Sequence, residues 1–191
     1  MAVKKASWFE YEMKVIGTFE KYLSQIEPEK MQEVAKIIVA ESGHKIYHYT
    51  LNLLQKLQKD GYYTLAISAS QQEIAEEFAK KYKFDDCLGA AFDVENGHYH
   101  KPSRVIFGRK HEIIKEYIND HPTLTLRDSV AVGDSGGDIS MLELVENPIA
   151  FNPSGELLDL ALKNCWKIVI ERKKHRIYTQ WPRYWCIIKT V

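Results

Sequence analysis

The stretch SVAVGDSGGDISMLELVE, from Ser129 to Glu146, places a glycine turn between an apolar run and an amphipathic one. The apolar run predicts a buried strand and the second run a helix, so the turn lies at the carboxyl end of a strand. Asp134 and Asp138 flank Ser-Gly-Gly in this turn. Two carboxylates there suit Mg²⁺, although Asp134 can equally close the turn and Asp138 cap the helix. These residues alone leave both alternatives open.

The overall charge is balanced, because the chain of 191 residues has 26 Lys and Arg and 26 Asp and Glu. This balance gives no field that would favour nucleic acid, a membrane or an acidic substrate. An odd number of cysteines without CxxC spacing, Cys87, Cys165 and Cys186, is typical of thiols in a reducing compartment. No run approaches the ~18 apolar residues of a membrane span, so we expect a cytoplasmic protein.

The first part of the chain has a helical pattern. Apolar spacing predicts two helices between Trp8 and Ser42, interrupted near Pro28. A third helix is predicted over about 47–59 and ends before Gly61, where a left-handed backbone is easily adopted. We therefore expect residues 1–45 to form a separate helical module.

From residue 62 onward, predicted strands alternate with predicted helices. The strands are YYTLAISAS, SVAV, PIAF and WKIVIE, and Asn96-Gly97 predicts an antiparallel hairpin. The alternation predicts an α/β fold over residues 46–172, with a mostly parallel, Rossmann-like sheet that binds ligands at the carboxyl ends of its strands. Residues 173–191 are predicted to be a basic aromatic tail.

Two further residues stand where a phosphate could bind. Ser68 ends the run LAIS, at another strand's carboxyl end, and its hydroxyl can donate to a phosphate. Ser70 is better explained as an ordinary helix cap, with Glu73 completing a capping box. Lys110 is predicted to be the first residue of a helix. A positive charge there is unfavourable with the helix dipole, so we expect the lysine to serve some other purpose.

Taken together and in this order, Ser68, Lys110 and VGDSGGD resemble motifs II, III and IV of the haloacid dehalogenase-like (HAD) phosphatases. The sequence is most similar to the phosphoserine-phosphatase-like branch, which carries a helical cap ahead of motif II. The resemblance spans roughly Trp8 to Arg172, so it covers nearly the whole chain apart from the tail.

The resemblance implies Mg²⁺-dependent hydrolysis of a small phosphomonoester through an aspartyl-phosphate. Asp134 would hold Mg²⁺, and Asp138 would support the metal site and the lysine. Ser68 would donate to phosphoryl oxygens, and Lys110 would neutralise charge on phosphate and carboxylate. These roles agree with phosphoryl transfer by positioning and charge cancellation.

The sequence departs from the resemblance at motif I, an apolar strand ending in Asp-x-Asp-x-Thr that supplies the nucleophile and lies in the centre of the sheet. No aspartate precedes Asp60. Three explanations are open: an N-terminal truncation, a strand supplied by another segment or subunit, and a degenerate relative. The apolar tail segment Tyr184–Val191 is a candidate, but we do not expect it to fill the central gap, and it contains no carboxylate.

We therefore predict a HAD-type phosphatase in which this chain alone has no turnover. The alternative is a non-catalytic HAD-like domain that binds a partner or a phosphorylated ligand, and a homo-oligomer or a strand-supplying partner is possible in either case.

His98 and His100 are interpreted as ordinary hairpin residues, because no acidic or cysteine companion stands at ligand spacing. We do not expect nucleic acid to bind the basic tail. Ser68-Ala69-Ser70 replaces the Ser-Gly-Gly of phosphoserine phosphatases, so the substrate stays open.

Overall fold

The computed structural model describes residues 8–171 and 185–190, so most of the predicted basic tail lies outside the described residues. Its helices and strands follow in the order α1 (Trp8–Tyr22), α2 (Pro28–Ser42), α3 (His48–Lys59), β1 (Tyr62–Gln71), α4 (Gln72–Tyr82), β2 (Asp86–Glu95), β3 (His98–Arg104), α5 (Lys110–Asp120), β4 (Leu124–Gly133), α6 (Ile139–Leu142), β5 (Asn147–Phe151), α7 (Gly155–Lys163), β6 (Lys167–Val169) and β7 (Trp185–Thr190). In this part of the chain, no helix combines the length and the apolar character that crossing a membrane requires.

The strands form one seven-stranded sheet in the order β3-β2-β1-β7-β4-β5-β6. Strand β1 pairs with β2, β4 with β5 and β5 with β6 in parallel, whereas the β2–β3 hairpin is antiparallel. The hairpin turns through Asn96 and Gly97, both at positive φ, as that dipeptide predicts. The α/β fold with a Rossmann-like sheet is confirmed, and the antiparallel pairings of β3 and β7 make the sheet mixed.

Strand β7 lies in the centre of the sheet, where the sequence predicted a gap. It pairs antiparallel with β1 on one side and with β4 on the other, so that Trp185 stands opposite Ala66 and Val132. The expectation that Tyr184–Val191 would not fill the gap is therefore wrong for the described residues of that segment. The physical reason is that the inner edges of β1 and β4 both carry backbone donors and acceptors that need partners, and WCIIKT favours strand structure.

Helices cover both faces of the sheet and form the core. Residues of α5, α6 and α7 pack with β1, β4 and β5 on one face, where Leu65, Ile114, Met141 and Leu157 are fully buried. Helices α3 and α4 cover the other face through smaller clusters. Three layers with a sheet in the middle are the arrangement expected for alternating strands and helices.

The helical N-terminal part packs against α4 and the hairpin. A turn of 3₁₀ helix, Leu23–Gln25, follows α1, and α2 begins at Pro28, so the predicted interruption is confirmed. Lys81 Nζ in α4 donates to Val39 O at 3.2 Å, and the Tyr82 hydroxyl donates to Gly43 O at 2.5 Å. The boundary of the module at residue 45 stays a prediction.

Two local expectations are corrected. The predicted helix ISMLELVE begins at Ile139 as expected but ends at Leu142 in α6, because the N–H of Leu144 bonds to Met141 O in a tighter turn that leads into β5. Strand β1 continues to Gln71, so Gln71 and not Ser70 stands at the cap of α4, and it makes no side-chain cap bond there. The capping box of Ser70 with Glu73 is therefore wrong, and Glu73 accepts the Tyr99 hydroxyl instead.

Helix α3 is fixed at its first turn by a residue that sequence reasoning did not select. The Glu171 carboxylate accepts the backbone N–H groups of His48 at 2.9 Å and Tyr49 at 2.8 Å. A carboxylate at this position satisfies open backbone donors and complements the helix dipole. Glu171 in turn exchanges two hydrogen bonds with Asn152, so α3 is tied to the ends of β5 and β6.

Candidate active site

The glycine turn after β4 is organised around the Asp138 carboxylate. Its Oδ2 accepts the N–H groups of Asp134 and Ser135 and the Ser135 hydroxyl, each at 3.1 Å. The bond from Ser135 closes a capping box with Asp138. Gly133 is required for this packing, because a Cβ there would stand 2.4 Å from Asp138 Cβ. The Asp138 carboxylate is therefore folded inside the turn.

Lys110, the first residue of α5, forms an ion pair with Asp138 Oδ1. The lysine side chain is 5 % exposed and the aspartate side chain is 0 % exposed. Burying either charge alone would be costly, so each needs the other and the surrounding hydrogen bonds. This pairing explains why a lysine opens α5 against the helix dipole. The structure thus brings two of the selected residues into direct contact.

Ser68 lies in an irregular part of β1. Ile67 pairs with Leu88 and Gln71 with Ala90, so four steps along β1 correspond to two along β2. The segment between Ile67 and Gln71 therefore bulges out of the ladder, as strands often do beside active sites. The Ser68 hydroxyl accepts the backbone N–H of Ser70 at 3.1 Å. This bond fixes the oxygen and leaves its proton for an acceptor.

Ser68 and Asp134 lie at the same edge of the sheet. Both β1 and β4 run antiparallel to β7 and hence in the same direction. Trp185 stands opposite Ala66 and Val132, and each selected residue follows its pairing residue by two positions. Since neighbouring strands lie ~4.8 Å apart, the two strands are separated by roughly 10 Å. The sequence prediction that these residues share one edge is confirmed.

The described carboxylates only partly fit a metal ion. Among residues 8–171 and 185–190, no group of three or more His, Cys, Asp or Glu side chains is placed to hold one. Both oxygens of Asp138 already accept hydrogen bonds from the turn and from Lys110. Mg²⁺ usually takes one or two carboxylates together with water and phosphate, and Asp134 is the candidate for such a carboxylate ligand. Asp138 is placed to support the site, and its role as a direct ligand stays a prediction.

Two residues near the turn were not selected from the sequence. Ser135 donates twice to Asp138, and its spacing to that acid, S-x-x-D, is a readable capping signal. Glu156, in the first turn of α7, approaches the turn so closely that a Cβ on Gly136 would stand 2.4 Å from its Oε2. No sequence signal relates Glu156 to residues about twenty positions earlier.

The two histidines of the hairpin lie apart from these residues. His98 Nδ1 is 3.2 Å from Asn96 O, and His100 Nδ1 is 3.5 Å from the Glu95 carboxylate. Both contacts are made within the exposed hairpin. They agree with the interpretation of His98 and His100 as hairpin residues.

Comparison with known proteins identifies the relatives of this chain. The chain is 29% identical over 119 residues to the phosphoserine phosphatase of Lactococcus lactis, a match that covers 59% of this chain and 55% of that protein. The chain spans about half the length of the curated relatives it matches.

Solved structures share the fold. A protein of unknown function from Bordetella pertussis is 15% identical and has a TM-score of 0.69, and the match covers 80% of this chain and 71% of that protein. A phosphoserine phosphatase solved as a phospho-aspartyl intermediate analogue is 21% identical with a TM-score of 0.52, and the match covers 86% of this chain and 81% of that protein. Residues 7–143 match the family of haloacid dehalogenase-like hydrolases. Because this match covers most of the chain, the protein belongs to the haloacid dehalogenase-like hydrolase family.

Proposed function

We propose that this chain carries the phosphate-binding part of a Mg²⁺-dependent, phosphoserine-phosphatase-like phosphomonoesterase and has no turnover by itself. The observation that carries the proposal is the buried Lys110–Asp138 pair beside Asp134, with Ser68 at the same sheet edge. The substrate would be a small phosphomonoester. Residues 1–45 would belong to the cap over the core of residues 46–172, in a cytoplasmic protein.

The chain's own residues would act by holding the phosphoryl group. Lys110, held by Asp138, would neutralise negative charge on the phosphate. The Ser68 hydroxyl would donate to a phosphoryl oxygen while it continues to accept the N–H of Ser70. Mg²⁺, held by Asp134, would supply further positive charge on the phosphoryl oxygens when bound. These contributions position and polarise the phosphate but do not attack it.

The absence of turnover is proposed from the position of β7. In the resemblance drawn above, the strand between those of motifs II and IV ends in the aspartate nucleophile. Here β7 lies between β1 and β4, and its sequence WCIIKT contains no carboxylate. Covalent catalysis of this kind requires that carboxylate. The described chain therefore offers the phosphate-binding groups without the attacking group.

Hydrolysis and binding measured side by side test this function. With Mg²⁺ and 4-nitrophenyl phosphate, we expect no release of phosphate above the uncatalysed rate. Calorimetry should show binding of inorganic phosphate that Ser68→Ala weakens by about fivefold to tenfold, as expected for one lost hydrogen bond. Turnover that is abolished by Asp134→Asn would contradict the proposal that this chain lacks a nucleophile. A lack of phosphate binding would contradict the proposed phosphate site.

A second function is favoured by the closure of the sheet. Since β7 pairs on both sides, the described chain forms a continuous sheet without a further strand. Such a domain could bind a partner or a phosphorylated ligand without catalysis. The codons immediately upstream discriminate the two: an apolar strand ending in Asp-x-Asp-x-Thr favours the phosphatase, and an in-frame stop favours the binding domain.

A further inference from the structure

The loop that follows β5 reaches the backbone of Asp134. Strands β4 and β5 are parallel, with Gly133 opposite Ala150, so both strands end at the same edge of the sheet and their loops are neighbours. The N–H of Ser154 donates to Asp134 O at 2.7 Å. This bond fixes the main chain of the candidate metal ligand from outside its own turn. The position of the Asp134 carboxylate therefore depends on the conformation of the loop that carries Ser154.

Asn152, at the start of this loop, is the residue that fastens it. It has a φ of 45°, in the left-handed region that asparagine tolerates better than most residues. Its N–H donates to Val169 O at 2.8 Å, its Nδ2 donates to Glu171 O at 3.0 Å, and its Oδ1 accepts the Glu171 N–H at 2.8 Å. Positive φ alone would suit glycine as well, but only the asparagine amide also offers both a donor and an acceptor.

Glu171 extends this attachment to a helix. Its carboxylate accepts the N–H groups of His48 and Tyr49 in the first turn of α3. The loop is therefore held by a strand, β6, and by a helix, α3, through the two side-chain bonds of Asn152. A short covalent link then leads from Asn152 to Ser154, whose N–H is bonded to Asp134.

We propose that Asn152 is a positioning residue for the candidate metal site, because its side chain holds the loop of Ser154 and that loop holds Asp134. The inference rests on the proposed function and deepens it by assigning a residue that sets the affinity for Mg²⁺. Groups that orient a metal ligand from behind commonly change metal affinity by about tenfold to a hundredfold when they are removed. Asn152 acts through Ser154 and is not itself a ligand.

Titration with Mg²⁺ tests this role by a readout that requires no turnover. The amides of the turn, residues 134–138, are followed by NMR in the isotope-labelled chain as the metal is added. Asn152→Gly keeps the tolerance of positive φ and loses both side-chain bonds, so we expect the Kd for Mg²⁺ to rise roughly tenfold. Asn147→Ala is the matched control. Asn147 Nδ2 donates to Ser129 O at 3.2 Å at the opposite end of β5, so its loss should leave this Kd unchanged.

A second variant tests the connection through Ser154. This residue has a φ of −62°, which proline also adopts, and its side chain makes no cap hydrogen bond. Ser154→Pro therefore removes chiefly the N–H that bonds to Asp134, and we expect it to raise the Kd for Mg²⁺ about as much as Asn152→Gly. The double variant should bind Mg²⁺ no more weakly than Ser154→Pro alone, since both changes break the same connection.

The Kd values separate positioning from support of the fold. A purely structural asparagine would lower stability without changing the Kd of the folded chain, so a wild-type Kd in Asn152→Gly would overturn the inference. Equal increases in Asn152→Gly and Asn147→Ala would also overturn it, and this comparison decides if Ser154→Pro does not fold. Additive losses in the double variant would contradict the connection through Ser154. A wild-type chain that binds no Mg²⁺ would contradict the metal site of the proposed function, whereas the other outcomes leave that site intact.

Discussion

The two strands that carry the candidate site, β4 and β1, hold their polar groups in opposite ways. Beyond β4, a buried lysine and a buried aspartate neutralise each other, and the turn donates three further hydrogen bonds to the acid. Beyond β1, the Ser68 hydroxyl is fixed by one N–H, and Arg104 has no acidic partner among the described residues. The charges of Lys110 and Asp138 therefore compensate each other within the fold, whereas Ser68 and Arg104 keep N–H or O–H donors that these bonds do not use.

Removing one charge from the β4 side should have the largest effect. Asp138→Ala leaves Lys110 buried without a counter-charge, and breaking such a pair typically lowers the free energy of unfolding by about 3–5 kcal/mol. Urea denaturation of the purified variant measures the loss. The double variant Lys110→Met/Asp138→Asn should be more stable than Asp138→Ala, since no uncompensated charge remains. A loss below about 1 kcal/mol in the single variant would show that the pair is not buried in solution.

Adding a side chain at a glycine of the same turn should lower the free energy of unfolding by an intermediate amount, which depends on the atom that the new Cβ meets. A Cβ at Gly133 would stand 2.4 Å from Asp138 Cβ, which is fixed in the core of the turn. A Cβ at Gly136 would stand equally close to Oε2 of Glu156, which is exposed and can rotate away. We expect Gly133→Ala to lower the free energy of unfolding by about 1–3 kcal/mol and Gly136→Ala by clearly less. Equal losses, measured by urea denaturation, would contradict the packing described for Asp138.

Thiol reactivity should distinguish the buried strand β2, which pairs with β1, from the exposed end of α7 without changing the fold. Burial raises the pKa of the Cys87 thiol on β2 to about 11, whereas Cys165, after α7, is exposed. The raised pKa keeps the folded thiol protonated while an unfolded thiol ionises near 9, so this group reduces stability progressively as pH rises from about 9 to 11. In a Cys186→Ser background, iodoacetamide at a pH of about 8.5 should modify Cys165 quickly and Cys87 only slowly. Comparable rates would contradict the burial of Cys87.

Much of this arrangement follows from the sequence because its signals are local. The Asn96-Gly97 turn, the break at Pro28 and the strand end at Asp134 each depend on a few neighbouring residues, and all three are confirmed. Lys110 could be selected because its position opposes the helix dipole, and only the family resemblance, not the residues themselves, names Asp138 as its partner. The helix cap predicted at Ser70 is wrong because the tertiary pairing of β1 with β2 extends the strand beyond it.

The remaining features depend on contacts between distant parts of the chain. The position of β7 follows from two unpaired strand edges, which exist only once β1 and β4 have formed. The two hydrogen bonds of Arg104 depend on the close backbone approach of Gly89 in β2 to Gln72 in α4, although these two residues are 17 positions apart in the sequence. No propensity or motif of the chain encodes either contact.

Strand β7 occupies the middle of the sheet, between the strand of Ser68 and the strand that leads to Asp134. Native-state hydrogen exchange measures this directly, because amides of a central strand open only in the most costly fluctuations. We predict that the amides of Cys186, Ile187 and Ile188 exchange as slowly as those of Thr64 and Leu65. Rapid exchange of the three β7 amides, while those of β1 stay protected, would contradict the account.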